Sequence, residues 1–484
     1  MHLCSRWQWF LVSLLAGALG ASCEKAQISS STREPAGGGG GPAGGSGGPA
    51  SGAAPGTTGG APGFALPDAA ANADAAAPQA PCVNLQCQQR ACPGGATTSL
   101  SGTVYAPNGT LPLYNVAVYV PNAPLDPLVR GSSCERCGTL ASGKPIASAL
   151  SDHEGKFKVG NVPAGKDIPL VFQVGKWRRK VIIPEVLPCQ DNALGDPQVT
   201  RLPRNRSEGD LPRVAITQGG CDNLVCLLPK LGIDLAETGA AAQDRPFTYY
   251  SGGGSIAFPG ITKDVTLWRS LEELQQYDMV INSCGCFELG EEKGPAAFEA
   301  VTRYLDAGGR MFNTHFSYDF LKFSPDPLLS AAVVNDMARN QVGGPAVIDT
   351  SFPKGKALAD WIKFLDPSLV FGEIPVGAIF GNLTGANSQI WARGSNQVPA
   401  FVTINTPVSA SPDKQCGRVV DLDTHVTHVA MPTRQMPPIS AIRSLDQCGT
   451  TLSKAEHVLA FMLFDLAACI QEDTRPPAPP PVID

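Results

Sequence analysis

Between Thr98 and about Pro203, apolar side chains fall on alternate positions: Leu100, Gly102 and Val104, then Val116, Val118 and Val120, with Pro107-Asn108-Gly109 as a turn between the runs. A period of two predicts strands with one buried face, and such strands need a second sheet to cover them. Beyond Leu211 the pattern changes. Short apolar strands are predicted at Arg213 to Thr217, Asp278 to Asn282, Arg310 to Thr314 and Arg418 to Leu422, with helices between several of them. Ser270-x-x-Glu273 and Ser453-x-x-Glu456 are capping boxes. Pro295 and Gly308 bracket a helix over Ala296 to Ala307. Val458, Leu459, Met462, Leu463, Leu466 and Ile470 recur at helical spacing, so one face of the last helix belongs to a core. Strand, helix and strand in succession predict a mainly parallel sheet with helices on both faces.

The two ends of the chain follow other rules. Trp9 to Ala21 is an uncharged run of 13 residues behind Arg6. That length suits the apolar region of a signal peptide, whereas a bilayer-spanning helix needs about 20 residues. The run ends in Leu19-Gly20-Ala21-Ser22-Cys23, which resembles the lipobox of bacterial lipoproteins, with Gly20 where that family carries Leu. The resemblance implies lipidation of Cys23; ordinary signal cleavage is the alternative. Residues 1–22 are therefore expected to be a signal peptide and 23–81 a disordered linker. Gly, Ala, Pro and Ser make up most of Pro35 to Ala80, which has too few large side chains to offset its ordering entropy. Such a tether reaches on the order of 40 Å. Residues 473–484, with Pro-Pro-Ala-Pro-Pro-Pro, are expected to be an extended, unpacked tail. A net charge of −6 is too mild for a nucleic-acid binder.

Fifteen cysteines in an exported chain read as a disulfide framework. Setting aside Cys4 and Cys23 leaves six before residue 205 (Cys82, Cys87, Cys92, Cys134, Cys137, Cys189) and seven after it (Cys221, Cys226, Cys284, Cys286, Cys416, Cys448, Cys469). The expectation is mostly intradomain bridges, divided near residue 205, with at least one thiol left over. One of Cys221 or Cys226 is expected to bond to one of Cys284 or Cys286, because neighbouring strand ends stand about 5 Å apart. Zinc on Cys134-x-x-Cys137 is the rival reading. The basic run Lys176, Arg178, Arg179 and Lys180 reads as a solvated, charge-protected edge strand, with contact to an anionic glycan as the alternative.

Two family resemblances add to this. "SGTVYAPNGTLPLYNVAVYV", Asp152-x-x-Gly155-x-Phe157 and Val162-Pro163-Ala164-Gly165 resemble the carboxypeptidase regulatory-like (transthyretin-like) β-sandwich, an accessory module without catalysis. Tyr277 to Asn282, "VTRYLDAGGRMFNTHFSYDF" and "GRVVDLDTH" resemble the class I glutamine-amidotransferase-like superfamily, nearer to its trehalose-utilisation (ThuA-like) branch. The implied fold is multidomain: an all-β transthyretin-like sandwich over 82–205, then an α/β flavodoxin-like three-layer domain over 210–472. In the amidotransferases a Gly-x-Cys-x-Gly elbow presents the nucleophile between strand and helix. Here that place reads Asn313-Thr314-His315-Phe316-Ser317, so His315 stands at the nucleophile position and glutaminase chemistry is not implied.

Ligands in open parallel sheets bind at the carboxyl ends of the strands. That rule gathers Gly219-Gly220, Ser283 to Cys286, Asn313 to His315, Asp423 and His425 at one edge. His315, Asp423 and His425 are the candidate catalytic residues, as base and orienter or as holders of a metal whose identity is unknown. No cofactor is expected, since Gly252-Gly253-Gly254 lacks the Lys-Ser/Thr of a phosphate loop. Two functions follow. One is an exported, lipid-anchored envelope protein of the myxobacterial type, at the outer membrane or cell surface, that binds a glycan or protein ligand or acts as a scaffold. The alternative is an extracytoplasmic hydrolase of a sugar derivative or peptide, working through His315, Asp423 and His425.

Overall fold

The period-two stretch forms two small sheets in the computed structural model, which describes residues 81–483 apart from 139–140, 223, 254–259, 286–289, 335–341 and 427–444. The strands are β1 (Ser99–Thr103), β2 (Ala117–Pro121), β3 (Pro145–Leu150), β4 (Lys156–Gly160), β5 (Gly165–Val174), β6 (Trp177–Val186) and β7 (Asp191–Leu194). They order as β3-β2-β5-β6 and β4-β1-β7. Phe157 of one sheet meets Phe172 of the other edge-on at 5.8 Å, so the alternate apolar positions do face a second sheet. At the predicted turn, Gly109 takes a left-handed φ of 73°. Asn108 Oδ1 accepts from Thr110 N and Leu111 N there.

The second pattern forms one ten-stranded mixed sheet. Its strands are β8 (Val214–Gln218), β9 (Thr238–Ala240), β10 (Phe247–Ser251), β11 (Met279–Asn282), β12 (Arg310–Thr314), β14 (Ala346–Ile348), β15 (Glu373–Ile374), β17 (Gln389–Arg393), β18 (Pro399–Thr406) and β19 (Gly417–Leu422). β13 (Val342–Gly343) and β16 (Ala378–Ile379) pair apart from it. The order β15-β14-β17-β18-β19-β12-β11-β8-β10-β9 is parallel from β19 to β9 and antiparallel from β15 to β19. β8, β11, β12 and β19 are buried at every position, as central strands covered on both faces must be. All four predicted strands occur here, but the antiparallel half was not foreseen.

Ser270 caps the short helix Leu271–Gln275 by accepting from Glu273 N at 3.0 Å, and the box at Ser453 closes in both directions. Ser453 Oγ accepts from Glu456 N at 3.2 Å and Glu456 Oε2 accepts from Ser453 N at 2.7 Å, starting the helix Lys454–Ala467. Gly294, at φ 74°, breaks the helical run Gly290–Asp306, and Pro295 restarts it.

The two-sheet part and the ten-stranded sheet share a core within one compact unit. Trp177 lies 5.6 Å from Phe247 and 5.7 Å from Phe464, Tyr114 stacks on Phe461, and Trp361 Nε1 donates to Pro112 O. The basic run is solvated only in part: β6 is an edge strand of its sheet, as expected, and Lys180 is exposed, but Lys176 and Arg178 are buried. Lys176 pairs with Glu135 and Asp278, Arg178 with Asp210, and Arg179 donates to the Gln198 and Arg201 carbonyls. Nearby, Arg418 and Lys354 each pair with Asp465 and Asp473 in full burial. Removing one partner from such a cluster strands the others, a loss of about 3–5 kcal/mol.

Five bridges join described cysteines: Cys82–Cys87, Cys92–Cys189, Cys134–Cys416, Cys137–Cys469 and Cys226–Cys448. Three of them stay on one side of residue 205, as expected of most, but Cys134–Cys416 and Cys137–Cys469 cross it. They also consume Cys134 and Cys137, the proposed zinc ligands. Burial of a joint core brings sequence-distant cysteines together, and cysteine spacing carries no record of that. The proline-rich tail is packed as well: Ser148 Oγ donates to Pro480 O and Ile483 N to Pro145 O. The expected signal peptide, Cys23 and the expected linker as far as residue 80 lie outside the described residues.

Candidate sheet-edge site

Four adjacent parallel strands, β8, β11, β12 and β19, deliver their carboxyl ends to one edge. Beneath that edge a polar ladder crosses the sheet in register. Thr217 Oγ1 donates to Asn282 Oδ1, Asn282 Nδ2 to Asn313 Oδ1, and Asn313 Nδ2 to Asp421 Oδ2. Burial, reinforced by Asp423, pushes the Asp421 carboxyl well above its ordinary range, against the opposing Asn313 hydrogen bond.

Backbone contacts fix the loops above the ladder. The carbonyl of Cys284 accepts from Cys221 N at 3.0 Å and Asp222 N at 3.2 Å, and Cys284 N donates to Thr314 Oγ1 at 3.0 Å. Gly219 is required for this closeness, since a Cβ there would stand 2.1 Å from the Cys284 carbonyl oxygen. His315 follows β12 directly with a left-handed φ of 40°, a strained strand-to-helix elbow of the kind that cores hold in place at a cost.

Two side-chain pairs result. Cys284 Sγ lies 3.4 Å from His315 Nδ1, and His425 Nδ1 lies 3.2 Å from Asp222 Oδ2. Asp222 Oδ1 also accepts from Val426 N. The imidazoles stand edge to face with centroids 4.3 Å apart, and His315 is enclosed by Phe316 at 3.9 Å and Phe380 at 3.7 Å. Burial, aided by His425, holds His315 well below the ordinary histidine range, against a smaller opposing pull from Asp222. The ring is thus neutral near pH 7. Its Nε2 is buried without a hydrogen-bond partner among the described residues.

His315 and His425 are brought together as the sequence predicted, but Asp423 is not their orienting carboxylate. Its oxygens accept from Asn382 N and Nδ2, both at 2.7 Å. Burial raises its pKa to about 7 despite those donors. Asp222 takes the orienting place instead, and the sequence signal for it was its position just past the Gly219-Gly220 turn. Cys284 carries a buried thiol and Cys226 bonds to Cys448, which leaves Cys221 with Cys286 as the one expected pairing still open. Cys221 is in a disulfide whose other half lies outside the described residues, as does Cys286. The sulfurs of Cys221 and Cys284 and a ring nitrogen of His425 lie within 4.8 Å of one another. With Cys221 oxidised, they are not a thiolate set for a metal.

Beside this centre, Lys293 donates to Asp319 Oδ2 at 2.7 Å and sits 4.2 Å above the Phe320 ring. It also borders a cavity of about 310 Å³ lined by Ser251, Gly252, Lys263, Asp264 and Trp268. Cys284, His315 and Asp222 are at most 1% exposed, so that cavity opens next to the centre without reaching it.

No protein-family model and no curated protein matches the chain. Among solved structures, a cytoplasmic protein from Salmonella typhimurium aligns over 54% of this chain and 100% of its own, at 12% identity and a TM-score of 0.29. A 9R-lipoxygenase from Cyanothece aligns over 21% of this chain and 16% of its own, at 13% identity and a TM-score of 0.13. Likenesses this slight carry no argument about fold or function.

Proposed function

We propose that this chain is an exported, lipid-anchored envelope protein in which a transthyretin-like sandwich and a flavodoxin-like, amidotransferase-like domain act as one rigid ligand-binding scaffold, with a non-catalytic sheet edge. The carrying observation is the closure of that edge. A nucleophile has to meet its substrate, and here the thiol and its imidazole lie sealed under Phe316 and Phe380. The bridged and shared core supports the scaffold reading, and five described disulfides accord with an oxidising compartment. A glycan or a protein of the envelope is the ligand class.

A second reading, an extracytoplasmic hydrolase, is favoured by one observation: Cys284 Sγ at 3.4 Å from a neutral imidazole, with His425 oriented by Asp222. The test is incubation of the full chain with peptidoglycan sacculi and with lipopolysaccharide. The scaffold reading expects co-sedimentation with one of them and no release of reducing ends or amines. Release that disappears in Cys284→Ser would replace it with the hydrolase.

A further inference from the structure

We propose that the cavity beside the sheet-edge centre binds a sugar acid of monosaccharide size, its carboxylate turned inward to Lys293 and Ser283. The inference rests on the glycan-binding reading and names the part of the glycan that is held. The cavity, of about 310 Å³, is bordered by Lys263, Asp264 and Lys293. It has room for about ten water molecules, the bulk of one pyranose ring with its substituents. A second pocket shares Gly252, Gly253, Asp264 and Lys293 with it and runs inward to Ser283 and Phe316. At about 10 Å³ this inner pocket admits one oxygen atom the size of a water. Phe316, whose ring centroid lies 3.9 Å from that of His315, is the wall between it and the buried centre.

Donors outnumber acceptors along these walls. Lys293 is 8% exposed, and among the described residues its ammonium has one acceptor, Asp319 Oδ2 at 2.7 Å. An ammonium carries three donors, so two are left for the cavity that Lys293 borders. Ser283 is 4% exposed, and its Oγ has no hydrogen-bond partner among the described residues. A buried polar group without a partner is costly, and one carboxylate in the inner pocket would satisfy both side chains. Lys263, exposed at the mouth, adds a second positive charge. Asp264 is the opposing group: its Oδ2 accepts from Trp268 Nε1 at 2.9 Å, and burial raises its pKa against that hydrogen bond, which softens its repulsion of an arriving anion. Its remaining lone pairs suit the hydroxyls of a sugar ring. Phosphate sites draw on arginine forks, and among the described residues no arginine borders either pocket.

Isothermal titration of the full chain with glucuronate tests this, with glucose and glucose phosphate as comparison ligands. Glucuronate should bind, and the other two at least about tenfold more weakly. Ser283→Ala removes a hydroxyl without a described partner and should weaken glucuronate about tenfold, the loss of one hydrogen bond to a charged group. Lys263→Met, at an exposed position, should weaken it about threefold. Absence of binding at millimolar glucuronate, equal affinity for glucose or glucose phosphate, or unchanged affinity in either variant would overturn the site. Co-sedimentation with sacculi or lipopolysaccharide without glucuronate binding would overturn it and leave the scaffold reading standing. Glucuronate binding without co-sedimentation would support the site and count against that reading.

Discussion

Removing either bridge that crosses the two halves should cost about 4 kcal/mol, and removing both about 9 kcal/mol. Cys134–Cys416 spans 282 residues and Cys137–Cys469 spans 332. A loop that long, closed alone, lowers the entropy of the unfolded chain by about 6 kcal/mol at 25 °C. The bridges are not alone, however. With one in place, the other closes only the path from 134 to 137 and from 416 to 469, about 56 residues, and its own share falls to about 4 kcal/mol. With both absent, Cys226–Cys448 still shortens the chain, so restoring the first closes about 110 residues, worth about 5 kcal/mol. Urea unfolding without reductant, followed by the fluorescence of buried Trp177, Trp268, Trp361 and Trp391, measures this on paired Cys→Ser variants. A loss near 9 kcal/mol would consume most of the stability of an ordinary domain, leaving the quadruple variant close to its midpoint in water. Losses below about 1 kcal/mol per bridge, with the quadruple variant still stable, would refute the reasoning.

Three further outcomes are expected. The Asp423 carboxyl, raised to about 7 in the folded chain against 3.8 unfolded, holds its proton more tightly when folded, so its contribution is complete below about pH 4 and lost as pH rises through 7. Asp423→Asn, with Asn382 turning its amide to match, should stabilise the chain against urea at pH 8, by up to about 4 kcal/mol, and change it little at pH 4; equal effects at both would contradict the shift. Gly219→Ala should destabilise by about 2–4 kcal/mol in the same assay, because its methyl meets the Cys284 carbonyl; a neutral result would mean that the loops are not clasped as described. Cys23→Ser should move the protein from the detergent phase to the aqueous phase on partitioning, and unchanged partitioning would exclude the lipid anchor.

Much of this architecture is written locally and was legible. β12 coincides with the predicted Arg310 to Thr314, and the box at Ser453 and Glu456 needs only four residues to declare itself. The sheet-edge rule placed His315 and His425 together because parallel strands end on the same side. What escaped was non-local. Lys176 looked solvated because nothing near it announces Asp278, 102 residues away, as its buried partner. Asp423 looked like the orienting carboxylate from its nearness to His425, whereas the fold turns it to Asn382 and brings Asp222 from 203 residues away. The crossing bridges escaped for the same reason.

The central claim is that the sheet edge is closed over a thiol held against a neutral imidazole, and labelling of the native full chain with iodoacetamide tests it most directly. Peptide mapping after hours at pH 8 should find no carboxamidomethyl group on Cys284, and complete modification of it once urea unfolds the chain. Stoichiometric modification of Cys284 within minutes in the folded protein would contradict the closed site and place an accessible nucleophile at the sheet edge.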